Sequence, residues 1–171
     1  MTTIIITGIS SAGKTTLGLA LANKLGYNFI DLDLEIEKYY NLHIKYIIKK
    51  YGIKLFRYLE QRQLKYILNN CKNTVIALGG GAFNNLYNQQ LCNKKSITLW
   101  LNPDINLVAD VFLTAKEANS RPLLSGDYKK NLFNLYNNRV KHYKKAKYML
   151  NYNKITDIDL LVSKTINLVF K

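Results

Sequence analysis

The chain has 171 residues, 48% of them hydrophobic and 21% charged, a composition that fits one ordered globular unit and excludes a disordered or low-complexity protein. Its 25 basic and 11 acidic residues give a net charge of +14. The cations are scattered rather than gathered in a tail or one helix, and Asn, Lys, Ile and Tyr are all abundant. The charge therefore reads as coding bias, and a basic nucleic-acid-binding protein is the minority expectation.

The first element starts almost at Met1. Thr3-Ile4-Ile5-Ile6-Thr7 is a β-branched run that reads as a buried strand and leaves no room for a signal or transit peptide, so a cytoplasmic location is expected. It leads into Gly8-Ile9-Ser10-Ser11-Ala12-Gly13-Lys14-Thr15, which fits the phosphate-cradling pattern G-x-x-x-x-G-K-[ST]. Residues 16–25 place apolar side chains at helical spacing. Strand, glycine-rich turn and helix are the context in which that pattern has chemical meaning. Gly8 and Gly13 let successive N–H groups face one point, and the helix N-terminus adds partial positive charge. Lys14 then reaches the β- and γ-phosphates of a nucleotide, and the Thr15 hydroxyl ligates Mg²⁺.

Tyr27-Asn28-Phe29-Ile30 reads as a second strand ending in Asp31-Leu32-Asp33. If the chain stays extended, both carboxylates lie on one side, where they suit Mg²⁺ and a substrate hydroxyl. The competing account is a solvated turn with a helix cap. Residues 34–71 read as helical, broken near Asn41 and Gly52. The last piece holds Arg57 and Glu60 three residues apart, for which a surface ion pair is the plain account; Arg62 warrants only that. Thr74-Val75-Ile76-Ala77-Leu78 is a third strand running into Gly79-Gly80-Gly81, a turn that lets the backbone approach a ligand closely. Residues 84–93 suit a short helix. Ser96-Ile97-Thr98-Leu99-Trp100-Leu101 is a fourth strand stopped by Asn102-Pro103, followed by a helix over 104–113. Residues 114–127 lose apolar periodicity and contain Ser120-Arg121-Pro122-Leu123-Leu124, a composition that suits a lid. A helix over 128–145 carries Arg139. Tyr148-Met149-Leu150 suits a fifth strand, and Asp157 opens a last helix with Ile158, Leu161, Ile166 and Val169 inward. Cys71 and Cys92 lack metal-ligand spacing and read as small thiols in a reducing compartment. No apolar run reaches the roughly eighteen residues of a membrane span.

Alternating strands and helices imply a parallel α/β sheet covered on both faces, with ligands at the carboxyl ends of the strands. The P-loop, Asp31 with Asp33, and Gly79-Gly80-Gly81 all fall at such ends. Scarcity adds a second signal. Arg57, Arg62, Arg121 and Arg139 are the four arginines among 25 basic residues. An arginine in a lysine-rich chain points to a need for the planar bidentate fork.

The order and spacing of residues 8–15, Asp31-Leu32-Asp33, Phe56-Arg57-x-x-Glu60, Gly79-Gly80-Gly81-Ala82, Arg121-Pro122-Leu123-Leu124 and Arg139 before Tyr143 resemble those of the shikimate kinases, from about Ile4 to the last helix. The resemblance implies a single nucleoside-monophosphate-kinase-like P-loop domain over 1–171, with a five-stranded parallel sheet in order 2-3-1-4-5. It implies a substrate-binding region over about 33–61 and a lid over about 112–127. It implies Mg²⁺-dependent transfer of the ATP γ-phosphate to the 3-hydroxyl of shikimate by a monomer, with no nucleic-acid or membrane partner. By the same resemblance, Lys14 and the groups around it (Ser11, Ala12, Gly13, Thr15 and Thr16) hold ATP. Thr15 and Asp31 serve the metal, and Asp33 orients or deprotonates the acceptor. Arg57 and Arg139 clamp the shikimate carboxylate, Gly79, Gly80 and Gly81 offer backbone donors, and Arg121 closes over the phosphates.

One position departs from the family. Many members carry an arginine seven residues before the lid arginine, where it packs on adenine; here that residue is Thr114, which leaves Lys116 or the segment 151–156 to hold the base. The rivals are another P-loop small-molecule kinase, such as a gluconate or nucleotide kinase, which has no evident need for Asp33, Arg57 and Arg139 together, and a GTPase or motor. Asn153-Lys154 continues as Ile155-Thr156 rather than as a guanine-reading motif.

Overall fold

The computed structural model describes residues 2–114, 128–153 and 157–170. The elements in chain order are β1 (Ile4–Thr7), α1 (Lys14–Leu25), β2 (Asn28–Asp31), α2 (Leu32–Tyr40), α3 (Ile44–Asn70), β3 (Thr74–Ala77), a 3-10 turn (Ala82–Asn84), α4 (Leu86–Lys95), β4 (Ile97–Pro103), α5 (Ile105–Thr114), α6 (Tyr128–Tyr143), β5 (Tyr148–Tyr152) and α7 (Ile158–Val169). The strands form one parallel sheet in the order β2-β3-β1-β4-β5, as the resemblance implies.

Alternation along the central strands builds a core on each face. Ile5, Ile76 and Trp100 point to one face, where they pack with Phe56, Leu64, Phe83, Leu132 and Tyr143 from the helices there. Ile4, Ile6, Val75, Leu99 and Leu101 point to the other, against Leu17 and Leu21 of α1 and Leu161, Val162 and Val169 of α7. Each such fully buried aliphatic side chain contributes roughly 1.5–3 kcal/mol. In α7, Ile158 and Ile166 lie at the edge of this second core, as expected.

Three local expectations need correction. The chain does not stay extended through Asp33: the strand ends at Asp31, whose carboxylate accepts from the N–H groups of Asp33 (3.1 Å) and Leu34 (3.4 Å) and so caps α2. Asp31 rather than Asp33 is the cap. Second, β4 runs through Asn102 to Pro103. Its pairing with β1 ends at Trp100 opposite Thr7, and beyond that point only β5 continues alongside, so the missing N–H of Pro103 breaks no ladder shared with β1. Third, α6 ends at Tyr143, short of the expected 145.

The two expected breaks in the 34–71 region are present. Asn41 closes α2 in a left-handed conformation, and Gly52, at φ 83° and ψ 162°, interrupts α3. Cys71 and Cys92 are free thiols, half-buried and buried. Among the described residues no helix is long and apolar enough to cross a membrane.

Candidate active site

The loop between β1 and α1 curls through left-handed residues at Ser11 (φ 63°) and Gly13 (φ 75°), with Gly8 at φ 145°. Gly8 also has no room for a side chain, since a Cβ there would lie 2.5 Å from the Leu101 carbonyl oxygen. Such alternation turns successive N–H groups toward one concavity, at the positive end of α1. Lys14 is buried, and its ammonium donates to the Ile9 carbonyl at 2.8 Å across the loop. Tyr152, at the end of β5, donates its hydroxyl to the Ala12 carbonyl at 2.9 Å and braces the loop from the far edge. Burial pushes the Tyr152 phenol up to about 12, so it remains a donor.

Beside the loop, the Thr15 hydroxyl donates to Asp31 Oδ2 at 2.8 Å. The other Asp31 oxygen caps α2. The hydroxyl keeps its lone pairs, and the two groups together form a hard oxygen donor pair at the mouth of the phosphate cradle.

Asp33 follows in the first turn of α2. Its Oδ1 is buried and makes no hydrogen bond. Burial raises its carboxyl above the usual range, the neighbouring Asp31 adds to the rise, and Lys14 and Arg57 oppose it. A carboxylate held half-desolvated with a free lone pair is suited to accept a proton or orient a hydroxyl.

Asp33 faces the turn after β3. A Cβ on Gly79 would lie 2.5 Å from Asp33 Oδ1; one on Gly80 would lie 2.8 Å from the Ser10 hydroxyl and 3.2 Å from an Arg139 nitrogen. One on Gly81 would overlap the Arg57 guanidinium. None of the three has a positive φ. Their glycine identity therefore reflects missing space rather than special backbone angles: the turn is where four polar side chains from four parts of the chain converge.

Arg57 is fixed by Glu60. One guanidinium nitrogen donates to both Glu60 oxygens, at 2.7 and 2.8 Å. The sequence reading of this pair as a surface contact is corrected here, because Glu60 is only 1% exposed. Burial dominates its titration and raises it to about 7, although Arg57 opposes the shift. Arg139 is buried and donates to the Gly80 carbonyl at 2.9 Å, and Tyr143, one helical turn on, donates to the same oxygen at 2.6 Å. Burial pushes Tyr143 up to about 12, so it too stays a donor. Arg62 is exposed on the outer face of α3.

Beyond Tyr152 an open cleft of about 460 Å³ is lined by Asn102, Pro103, Asp104, Ile105, Tyr136, Asn151 and Asn153. Asn102 donates to Asn151 (2.8 Å) and accepts from Tyr136 (2.9 Å), which gives the cleft a polar floor.

The described site thus brings together Ser11, Ala12, Gly13, Lys14, Thr15, Thr16, Asp31, Asp33, Arg57, Gly79, Gly80 and Gly81, at the carboxyl ends of β1, β2 and β3 and on the helices that follow, with Arg139 reaching in from α6. Arg121, Lys116 and most of the expected lid lie outside the described residues. Sequence reasoning missed Ser10 and Tyr152. Ser10 was legible as a residue inside the phosphate pattern; Tyr152 touches Ala12 across 140 positions, and nothing local signals that contact.

Known proteins resemble this chain in sequence and in fold. A family model described as shikimate kinase matches residues 10–169. A shikimate kinase of Sulfurihydrogenibium sp. is 35% identical over 156 residues, 91% of each chain. One from Macrococcus caseolyticus is 42% identical over 104 residues, where the match spans 61% of either chain. The structure of a shikimate kinase from Acinetobacter baumannii in complex with shikimate is similar at a TM-score of 0.91 and 30% identity, covering 99% of this chain and 93% of that one. With that family model matching residues 10–169, the chain belongs to the shikimate kinase family.

Proposed function

We propose that this enzyme transfers the γ-phosphate of ATP to the 3-hydroxyl of shikimate through the residues gathered at the 79–81 turn. The observation that carries this reading is the convergence of Asp33, Arg57 and Arg139 on three glycines whose absent side chains make room for them. Two guanidiniums suit a planar carboxylate, and a partly desolvated carboxylate suits an adjacent hydroxyl.

Lys14 and the amides of Ser11, Ala12, Gly13, Thr15 and Thr16 hold the ATP phosphates. The Thr15–Asp31 oxygen pair fits a hard divalent cation: Thr15 would hold Mg²⁺ directly and Asp31 through water. When bound, that ion would supply positive charge to neutralise the transferring phosphates. Asp33 orients the acceptor hydroxyl and takes its proton. Arg57, set by Glu60, and Arg139, set on Gly80, grip the acceptor carboxylate and hold the hydroxyl in line with the phosphate. Arg121 is assigned from its motif alone, to close over the transferring group. We assign to the nucleobase the cleft lined by Asn102, Tyr136, Asn151 and Asn153. The chain acts as one domain, with acceptor binding in the 33–61 region.

The test is ADP release with shikimate, gluconate and CMP in parallel, with the product's phosphorylated position read by NMR. Release with shikimate alone, phosphorylation at the 3-position and loss of both in a folded Lys14→Ala variant are expected. Equal turnover with gluconate or CMP contradicts the reading.

A further inference from the structure

Arg139 and Tyr143 reach the glycine turn directly from α6. A third α6 side chain reaches the same loop through an intermediary. His142, half-buried, lies with Nδ1 3.2 Å from the Gln89 amide nitrogen on α4. That same nitrogen donates to the Phe83 carbonyl at 2.7 Å, in the 3-10 turn that follows the glycines. Gln89 is buried. The neighbouring Asn88 donates to the Ala82 carbonyl at 2.9 Å, so α4 satisfies two successive carbonyls of this turn.

The chemistry of this chain of contacts permits one arrangement. A carbonyl only accepts, so Phe83 fixes the amide nitrogen of Gln89, not its oxygen, on that side. The second hydrogen of that nitrogen is then available to His142. Nδ1 must be a bare acceptor, with the ring proton on Nε2.

We propose that His142, acting through Gln89, is a positioning residue for the phosphoryl-acceptor site. It ties the helix bearing Arg139 and Tyr143 to the loop bearing Gly79, Gly80 and Gly81, and it does so only while Nδ1 is unprotonated. This rests on the reading of Arg139 and the turn as the acceptor's binding site. Protonation of Nδ1 sets a donor against a donor. Among the described residues, the two elements that the contact joins to α6 carry no carboxylate: α4 has Tyr87, Cys92, Lys94 and Lys95, and the 3-10 turn has no titratable side chain. α6 itself carries Tyr128, Lys129, Lys130, Tyr136, Arg139, Lys141 and Tyr143, and the turn after it adds Lys144, Lys145 and Lys147. Asp110 lies on α5, which packs along α6. Acid therefore loosens the tie, and shikimate affinity falls with it.

Steady-state kinetics of the full chain between about pH 6 and pH 8, the interval in which histidine ordinarily titrates, test this. His142→Phe removes the acceptor; His142→Asn supplies an amide oxygen that does not protonate. At about pH 8, His142→Phe should raise the shikimate KM roughly three- to tenfold, as expected for one neutral hydrogen bond, with the ATP KM and the melting temperature little changed. His142→Asn should retain the wild-type value there. Because Glu60 titrates in the same interval, the deciding quantity is the ratio of wild-type to His142→Asn shikimate KM, which should rise as the pH falls. A pH-independent ratio, or a His142→Phe variant indistinguishable from wild type, overturns the proposal. Arg139→Lys, run alongside, separates the two levels: if it too leaves the shikimate KM unchanged, the acceptor-site reading fails, and if it alone raises KM, only the role of His142 fails.

Discussion

The carboxylate of Asp33 occupies the space that a side chain on Gly79 would need, with Oδ1 2.5 Å and Oδ2 2.8 Å from where its Cβ would stand. The same relation holds between Gly81 and Arg57. Gly79→Ala must therefore displace the Asp33 carboxylate, proposed above to face the acceptor, and Gly81→Ala the guanidinium. Misplacing a reacting group by about 1 Å costs about 10²-fold in rate. Gly79→Ala should lower kcat by about that factor, and Gly81→Ala should act mainly on the shikimate KM. Steady-state kinetics with circular dichroism as the folding check distinguish these outcomes; a wild-type kcat in Gly79→Ala would show that Asp33 is not held at the reacting centre.

Asp33→Asn keeps the shape and removes the proton acceptor. General-base assistance typically contributes roughly 10²–10⁴-fold, so kcat should fall within that range while ATP affinity, measured by calorimetry, stays near wild type. Lost ATP affinity with retained turnover would place this carboxylate on the nucleotide instead.

Glu60 predicts a pH dependence of stability. Its folded carboxyl titrates at about 7, above the ordinary 4.5. Between these values the folded state binds more protons than the unfolded chain, so this group's contribution to stability falls as pH rises through the interval. Glu60→Gln should remove that slope, which amounts to a few kcal/mol at most. Urea melts of both proteins at about pH 5 and pH 8 measure it, as the change in their stability difference. The catalytic sign is opposite: ionised Glu60 holds Arg57, so shikimate binding should weaken as the pH falls through about 7.

Much of this site is legible in the sequence because its parts are local. The phosphate loop is announced by a β-branched strand, two glycines and a helix within 25 residues, and the strand order follows from the resemblance those motifs carry. The carboxylate pair shows where local reading stops. Alternation applies to an extended chain, yet Asp31 caps α2, so the strand ends two residues earlier than the pattern assumed. Glu60 illustrates a different limit. Its spacing from Arg57 reveals a pair, but its burial comes from how α3 packs in the first core, which no local window contains. The three glycines were legible as a close approach, but what approaches them are the site's own side chains. Gln89 and His142, 53 residues apart, meet only in the folded chain.

The account turns on Arg57 and Arg139 as a carboxylate clamp. Of the 25 basic residues, 21 are lysine, so a site needing positive charge alone would have one to hand. A guanidinium instead offers two parallel donors in a fixed fork, and Glu60 and Gly80 hold these two forks in place. Arg57→Lys and Arg139→Lys preserve charge and remove the fork. A hydrogen bond to a charged group contributes about 1.5–3 kcal/mol, so each variant should raise the shikimate KM roughly ten- to hundredfold and leave ATP affinity unchanged. Arg62→Lys, on the exposed face of α3, should match wild type. The decisive measurement is the shikimate KM of these three variants side by side, with folding checked by thermal melts. A rise confined to Arg57→Lys and Arg139→Lys is the result this structure predicts. An unchanged KM in both, or an equal rise in Arg62→Lys, would contradict the clamp.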